Sequence, residues 1–229
     1  MPSMQNEIGR TQNGAPRQGT SPYLSMLFDF DGTIADTLSA IVRLVNEHAK
    51  EFNIKPLADT DVDELRGMSN LDIIKKYKVP LVKVPYLVVR AQKELNQRIG
   101  EVRLFPGVKE LILDLKRRGI RLGILTSNSR ENVQKFLRAQ VLDVFDFIHA
   151  EQNFFGKNWA LLHLLKKFNL KKEEVIYVGD EVRDIEACQK VNIAVIAVSW
   201  GFHRRKILQD KRPTYLVDSP GEILAIVSG

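Results

Sequence analysis

Four acidic residues stand at spacings that can bring carboxylates together: Asp29 and Asp31 flank Phe30, and Asp180 and Asp184 lie one helical turn apart. Two carboxylates about 4 Å apart repel by roughly 4 kcal/mol at an effective dielectric constant near 20. Gathering them at one place therefore demands raised pKa values or a cation. A hard divalent ion removes the conflict, and magnesium suits such a site because it takes oxygen ligands, keeps several waters and commonly uses one or two carboxylates beside a substrate phosphate. Any one of these acids alone would be read as solvated. Only their joint arrangement carries the chemistry.

The elements around these residues place them at strand ends. The apolar run from Tyr23 to Asp29 predicts a buried strand, and Asp31-Gly32-Thr33 a tight turn after it. Gly32 allows the turn and a close backbone approach, and Thr33 can hydrogen-bond Asp31 to keep it aimed. Thr37 is expected to cap a helix with apolar positions at Ile41, Leu44, Val45 and Phe52. Up to about Arg103 the remaining signals are helical, at 61–66, 70–77 and 84–99; Leu81 to Val89 could be a strand or a broken helix. Beyond Pro106-Gly107 helices alternate with apolar runs, with strands expected at 121–126, 147–150, 175–179, 193–199 and 215–217. Such alternation implies right-handed crossovers and a parallel sheet covered on both faces. The fold class is α/β, a Rossmann-like parallel sheet core with an inserted all-helical cap. The expected division is a disordered tail over 1–22, the catalytic core over 23–36 and 104–229, and the cap over 37–103.

Open parallel sheets bind ligands at the carboxyl ends of their strands. Each polar cluster sits at such an end: Asp29-Phe30-Asp31-Gly32-Thr33, Thr126-Ser127-Asn128-Ser129, Gly156-Lys157, and Gly179-Asp180-Glu181-Val182-Arg183-Asp184. In this order the motifs resemble those of the haloacid dehalogenase-like hydrolase superfamily, and the resemblance covers nearly everything from Tyr23 onward. The cap position and Ser199-Trp200-Gly201-Phe202 look like its phosphoglycolate phosphatase-like branch.

The resemblance implies a Mg²⁺ ion held by the Asp29 carboxylate, the Asp31 backbone carbonyl and the Asp180 carboxylate, with Asp184 supporting from behind. Asp29 would attack phosphorus to form an aspartyl-phosphate, and Asp31 would protonate the leaving oxygen and then activate water. Ser127, the backbone of Asn128, and Lys157 would neutralise the nonbridging phosphate oxygens. Two positions depart from the family pattern. Family members usually carry Lys-Pro-x-Pro where this chain has Lys157-Asn158-Trp159-Ala160, which bears on loop shape more than on charge. Glu181 replaces a small hydroxyl residue and is expected either to face solvent or to adjust the surroundings of the ion.

Composition bounds the remaining classes. With 229 residues the chain can bury a core without disulfides, and its single cysteine, Cys188, excludes intrachain disulfides and paired-cysteine zinc ligation, so a cytoplasmic location is expected. The formal charge of +6 is spread over many segments, so neither nucleic acid nor a membrane is an expected partner. No apolar run approaches the ~20 residues of a spanning helix. The four histidines lack metal-ligand spacing, and Trp159 and Trp200 read as packing residues. The cap is the natural source of specificity. Within Arg66-Gly67-Met68-Ser69, Arg66 could grip a substrate carboxylate or second phosphate, or be a helix-terminal charge. The expected partner is a small phosphorylated metabolite, 2-phosphoglycolate first. The alternatives are a phosphosugar mutase or phosphotransferase of the same fold and a non-catalytic binding scaffold. Oligomeric state is not readable from the chain.

Overall fold

The computed structural model describes residues 22–52, 56–68, 70–76, 81–150 and 156–228. The tail expected over 1–22 falls, up to residue 21, outside the described residues, as does Ser69. The chain begins with β1 (Ser25–Phe28), and then come α1 (Thr37–Glu47), α2 (Ala49–Phe52), α3 (Asp59–Leu65), α4 (Asn70–Lys76) and α5 (Val84–Gln97). Alternation follows: α6 (Val108–Arg117), β2 (Arg121–Thr126), α7 (Arg130–Ala139), β3 (Phe147–Ala150) and α8 (Lys157–Lys167). The last part holds β4 (Val175–Gly179), α9 (Val182–Val191), β5 (Ala194–Val198), α10 (Arg205–Asp210), β6 (Tyr215–Val217) and α11 (Pro220–Ser228).

The six strands form one parallel sheet in the order β3-β2-β1-β4-β5-β6. This is the Rossmann-like parallel sheet expected. Every residue of β1 and β4 is buried, as strands covered on both faces require. Their side chains alternate between two apolar layers. Met26, Phe28, Ile176 and Val178 pack with α6, α7 and α11 through Leu111, Phe136 and Ile223, whereas Leu27, Val175 and Tyr177 pack with α8 and α9 through Leu161, Leu164 and Ile185. The chain builds outward from β1 through β2 to β3, then returns to β1 and builds the other way. Neighbouring crossovers therefore diverge above β1 and β4, and a crevice opens at their carboxyl ends.

Several local expectations differ from what is found. Asp36, not Thr37, is the N-cap of α1: its carboxylate accepts from Ser39 N at 3.1 Å, and Thr37 is the first, buried, helical residue. Leu81–Lys83 is a 3₁₀ turn running into α5, so the segment is helical and not a strand, with Pro85 in the first turn where its missing N–H costs no helical bond. Trp159 is exposed on α8 and packs in no core, because it lies on the face of the helix turned from the sheet. Trp200 is partly buried and donates from its ring nitrogen to Thr33 O at 3.1 Å.

Phe30 ties the acidic turn to the sheet's packing. It is fully buried between Asp29 and Asp31, edge-on to Phe136 of α7 with ring centroids 5.2 Å apart. Phe136→Ala should lower unfolding free energy by about 3–5 kcal/mol. Urea denaturation checks this, and a loss below about 1 kcal/mol would mean that the pair does not anchor the turn.

Candidate active site

Asp29 directly follows β1, and its N–H still bonds Val178 O of β4 at 2.9 Å, so the sheet ladder itself sets its height. One carboxylate oxygen accepts from Phe30 N at 2.8 Å, and the other accepts from Lys157 Nζ at 2.5 Å. The turn that follows is possible only with glycine: Gly32 has φ +79°, and a Cβ there would lie 2.2 Å from Asp180 Oδ2. Thr33 does not aim Asp31, as the sequence suggested. Its hydroxyl donates to Asp180 Oδ1 at 2.7 Å, because the tight turn swings it across toward β4.

Asp180, just past β4, is wholly buried; its Oδ2 accepts from Phe202 N at 2.7 Å. Burial, then the charges of Glu181 and Asp184, push its carboxyl well above the usual range. Asp184 sits in the first turn of α9 and accepts from Glu181 N at 2.9 Å. It also pairs with Lys157, the first residue of α8, whose ammonium thus joins Asp29 to Asp184. Burial alone would lower the Lys157 pKa, but the two carboxylates outweigh it and hold the ammonium charged. Its Nζ lies 5.0 Å from the centroid of the buried Tyr177 ring. Lys157 is thus far from the surface charge that its position flanking a helix might suggest.

Asp31 faces the other way. Asn128 Nδ2 approaches both its carboxylate oxygens at 3.4 Å. Burial and the neighbouring Asp29 charge raise its pKa to about 7. The Asn128 backbone N–H, expected to meet a phosphate, donates to Thr126 Oγ1 at 2.9 Å. It is the Asn128 side chain that turns into the site. Ser127 is exposed at the end of β2, in a turn fixed by Ser129, which caps α7 by accepting from Asn132 N at 3.2 Å.

The remaining assignments change in detail. Glu181 does not face solvent: it is buried, its carboxylate pairs with Arg183 at 2.5 Å, and its charge is one of those that raise the Asp180 carboxyl. Asp184 was expected behind the ion site, yet one of its oxygens lies in the same cluster as those of Asp29 and Asp180, since the first turn of α9 points there. Arg66 grips the protein itself. Its Nε donates to Gly201 O at 2.8 Å and its Nη2 to Ser199 O at 2.7 Å, because the end of α3 rests on the loop after β5. Sequence reasoning passed over Phe202 and His203. Phe202 contributes a backbone N–H, and the buried His203 accepts from Val182 N through Nδ1 at 3.0 Å. A backbone donor leaves no side-chain signature, so Ser199-Trp200-Gly201-Phe202 marked the loop without naming the donor.

Asp29, Asp180 and Asp184 each present an oxygen, all within 4.8 Å of one another and all buried. Three carboxylates with one ammonium between them leave negative charge out of water, and Asp180 is held only by neutral donors. This donor set fits a hard divalent cation.

A Rossmann-like sheet with an acidic cluster at its switch point and a buried lysine beside it defines a class of α/β hydrolytic enzymes. The sequence model of haloacid dehalogenase-like hydrolases matches residues 26–198, and the chain belongs to that family. It is 36% identical over 205 residues to a phosphoglycolate phosphatase of Synechococcus elongatus, covering 89% of this chain and 97% of that protein. It is 27% identical to the pyrophosphatase PpaX of Bacillus mycoides, covering 89% and 96%. A solved haloacid dehalogenase-like family protein from Streptococcus pneumoniae superposes with a TM-score of 0.74 at 23% identity, over 89% of this chain and 98% of that one, a likeness of fold.

The raised carboxyl groups set a sign for stability. Asp31 titrates near 3.9 in an unfolded chain and at about 7 when folded. Between these values the folded state holds the extra proton, so metal-free stability falls as pH rises through that window and levels off above it. Asp29 and Asp180 shift in the same direction. With EDTA present, Tm should drop from pH 5 to pH 7.5, less steeply for Asp31→Asn, and added Mg²⁺ should restore much of the loss at pH 7.5. Differential scanning calorimetry checks this. A metal-free Tm that rises over the interval would contradict the assignment.

Proposed function

We propose that the protein is a magnesium-dependent phosphatase that hydrolyses a small phosphomonoester through an aspartyl-phosphate on Asp29, with 2-phosphoglycolate the first candidate substrate. The observation that carries this reading is the opposed setting of the two acids: Asp29 is buried against Lys157, and Asp31, two residues on, has its pKa near 7 and faces Asn128. The substrate class follows from the Synechococcus elongatus relative, a phosphoglycolate phosphatase.

In the proposed reaction Asp29 attacks phosphorus in line, the bond to the leaving oxygen breaks, and Asp31 supplies that oxygen's proton. The carboxylate so formed on Asp31 takes a proton from water, whose oxygen attacks the phosphorus and frees Asp29 and inorganic phosphate. A carboxyl poised near neutral pH suits both transfers. Asp29 and Asp180 would hold the Mg²⁺, joined by the Asp31 carbonyl that the family resemblance implies, with Asp184 alongside. When bound, the ion neutralises the carboxylates and the phosphate oxygens so that an anionic nucleophile can approach. Ser127, the Asn128 side chain and Lys157 are the groups of this chain available to the nonbridging oxygens.

The helices of 37–103 are read as a cap over the core of 23–36 and 104–229. The chain leaves and re-enters the core side by side, with Asp36 N bonded to Arg103 O at 2.8 Å and Phe105 N to Ile34 O at 3.2 Å. Such a paired neck lets an insertion move over the site without disturbing the sheet.

Phosphate release from 2-phosphoglycolate and a panel of short organic phosphates should require Mg²⁺ and stop with EDTA. Asp29→Asn should lower kcat by a factor of about 10³ or more. Asp31→Asn should lower it by about 10²–10⁴. Turnover that ignores metal, or survives Asp29→Asn, would overturn the proposal, and transfer of phosphate to a second sugar in place of water would assign a mutase.

A further inference from the structure

The loop 199–204 touches the acidic site on one side and the helical insertion on the other. Toward the site, Phe202 N donates to Asp180 Oδ2 at 2.7 Å and His203 N to Asp180 O at 3.3 Å. Gly201 lies so close that a Cβ there would sit 2.2 Å from Asp180 Oδ2 and 2.3 Å from Gly32 O. Toward the insertion, the Arg66 guanidinium donates to the carbonyls of Ser199 and Gly201 at 2.7 and 2.8 Å. Arg204 N returns a bond to Arg66 O at 2.9 Å, and Arg204 pairs with Asp63 of α3 at 2.6 Å. The His203 ring accepts through Nδ1 from Val182 N of α9 at 3.0 Å.

We propose that Arg66 is a positioning residue: by clamping the Ser199 and Gly201 carbonyls it holds loop 199–204 against Asp180, so that the ion site is fully formed only while the end of α3 is docked. This deepens the phosphatase reading and rests on it for its kinetic consequences. The chemistry is direct. Asp180 is wholly buried and oriented by the Thr33 hydroxyl and by Phe202 N–H, and the second of these belongs to the same peptide group as the Gly201 carbonyl that Arg66 grips. Two charge-assisted bonds from one planar guanidinium fix both the spacing and the direction of those carbonyls. A lysine, as a point charge, could satisfy one of them but would not hold the pair in register. The clamp commits Nε and Nη2, one edge of the guanidinium, to the protein's own backbone, and in this role Arg66 acts through Asp180.

The test separates this role from substrate gripping. Arg66→Met keeps most of the apolar stem, and Arg66→Lys keeps the charge. Each is compared with wild type by isothermal calorimetry of Mg²⁺ binding to the metal-free protein, and by kcat and KM on 2-phosphoglycolate and on p-nitrophenyl phosphate, which has no second anionic group. The positioning role predicts that Arg66→Met weakens Mg²⁺ binding and lowers kcat about tenfold on both substrates, with KM changed by less than about threefold. Arg66→Lys should recover part of both losses. A rise in KM confined to 2-phosphoglycolate, with Mg²⁺ binding and kcat intact, would overturn the proposal in favour of substrate contact, and unchanged behaviour in every assay would overturn it outright. If wild type hydrolyses neither ester, the phosphatase reading fails while Mg²⁺ calorimetry still decides the clamp. If Arg66→Met does not fold, Arg66→Lys carries the same comparison.

Discussion

Negative charge held out of water is the constraint on which the rest of this structure depends. Asp29, Asp180 and Asp184 converge within 4.8 Å in the interior, and each loses hydration there that its neighbours cannot replace. Lys157 offsets part of this by lying between Asp29 and Asp184, at the cost of burying an ammonium that only those two carboxylates keep charged. Asp180 has only the Thr33 hydroxyl and Phe202 N–H, so its carboxyl is pushed far toward the neutral form. The metal-free fold is thus under electrostatic tension of a kind that a divalent cation relieves. Binding and folding free energy are linked at this point.

The same constraint explains the glycines and the loops. Bringing Asp180 against the turn after β1 leaves no room for a Cβ at Gly32 or Gly201, each of which would place one 2.2 Å from Asp180 Oδ2. Two separate stretches of chain therefore close on one carboxylate. One of them, the loop after β5, is itself fixed by contacts from the end of α3 through Arg66 and Asp63. The end of α3 and the acidic site consequently share this loop as a boundary.

The chain departs from its family's usual pattern at two places, and both are accommodated by packing. Where the usual pattern has prolines after the lysine, Lys157 is here the first residue of α8, with Gly156 at φ +90° making the entry. The ammonium still reaches Asp29 because the start of α8 points at the sheet's switch point. Glu181 adds a buried acid beside Asp180, and Arg183 neutralises it from the same turn of α9. A small hydroxyl residue would need no such partner, so Glu181 and Arg183 are read as a compensated pair.

Much of this was legible in the order of residues. Apolar runs that end in Asp29, Thr126 and Gly179 are buried strands because a parallel sheet covered on both faces admits nothing else, and their ends must meet where ligands bind. The acidic motifs followed from that placement and from the chemistry of their side chains, and Lys157 followed from the family resemblance. What the sequence could not contain was direction. Which carboxylate receives the Thr33 hydroxyl, whether Asn128 offers its backbone or its side chain, and where the Arg66 guanidinium points all depend on groups 97 to 147 residues away, or on turns whose geometry is set by packing. Phe202 acts through a peptide N–H that every residue except proline possesses, so no residue type could announce it. Residue identity determined which chemistry was available, and the tertiary structure decided which atoms face one another, because only the folded chain brings β1, β4, α8 and the loop after β5 within a hydrogen bond of the same carboxylates.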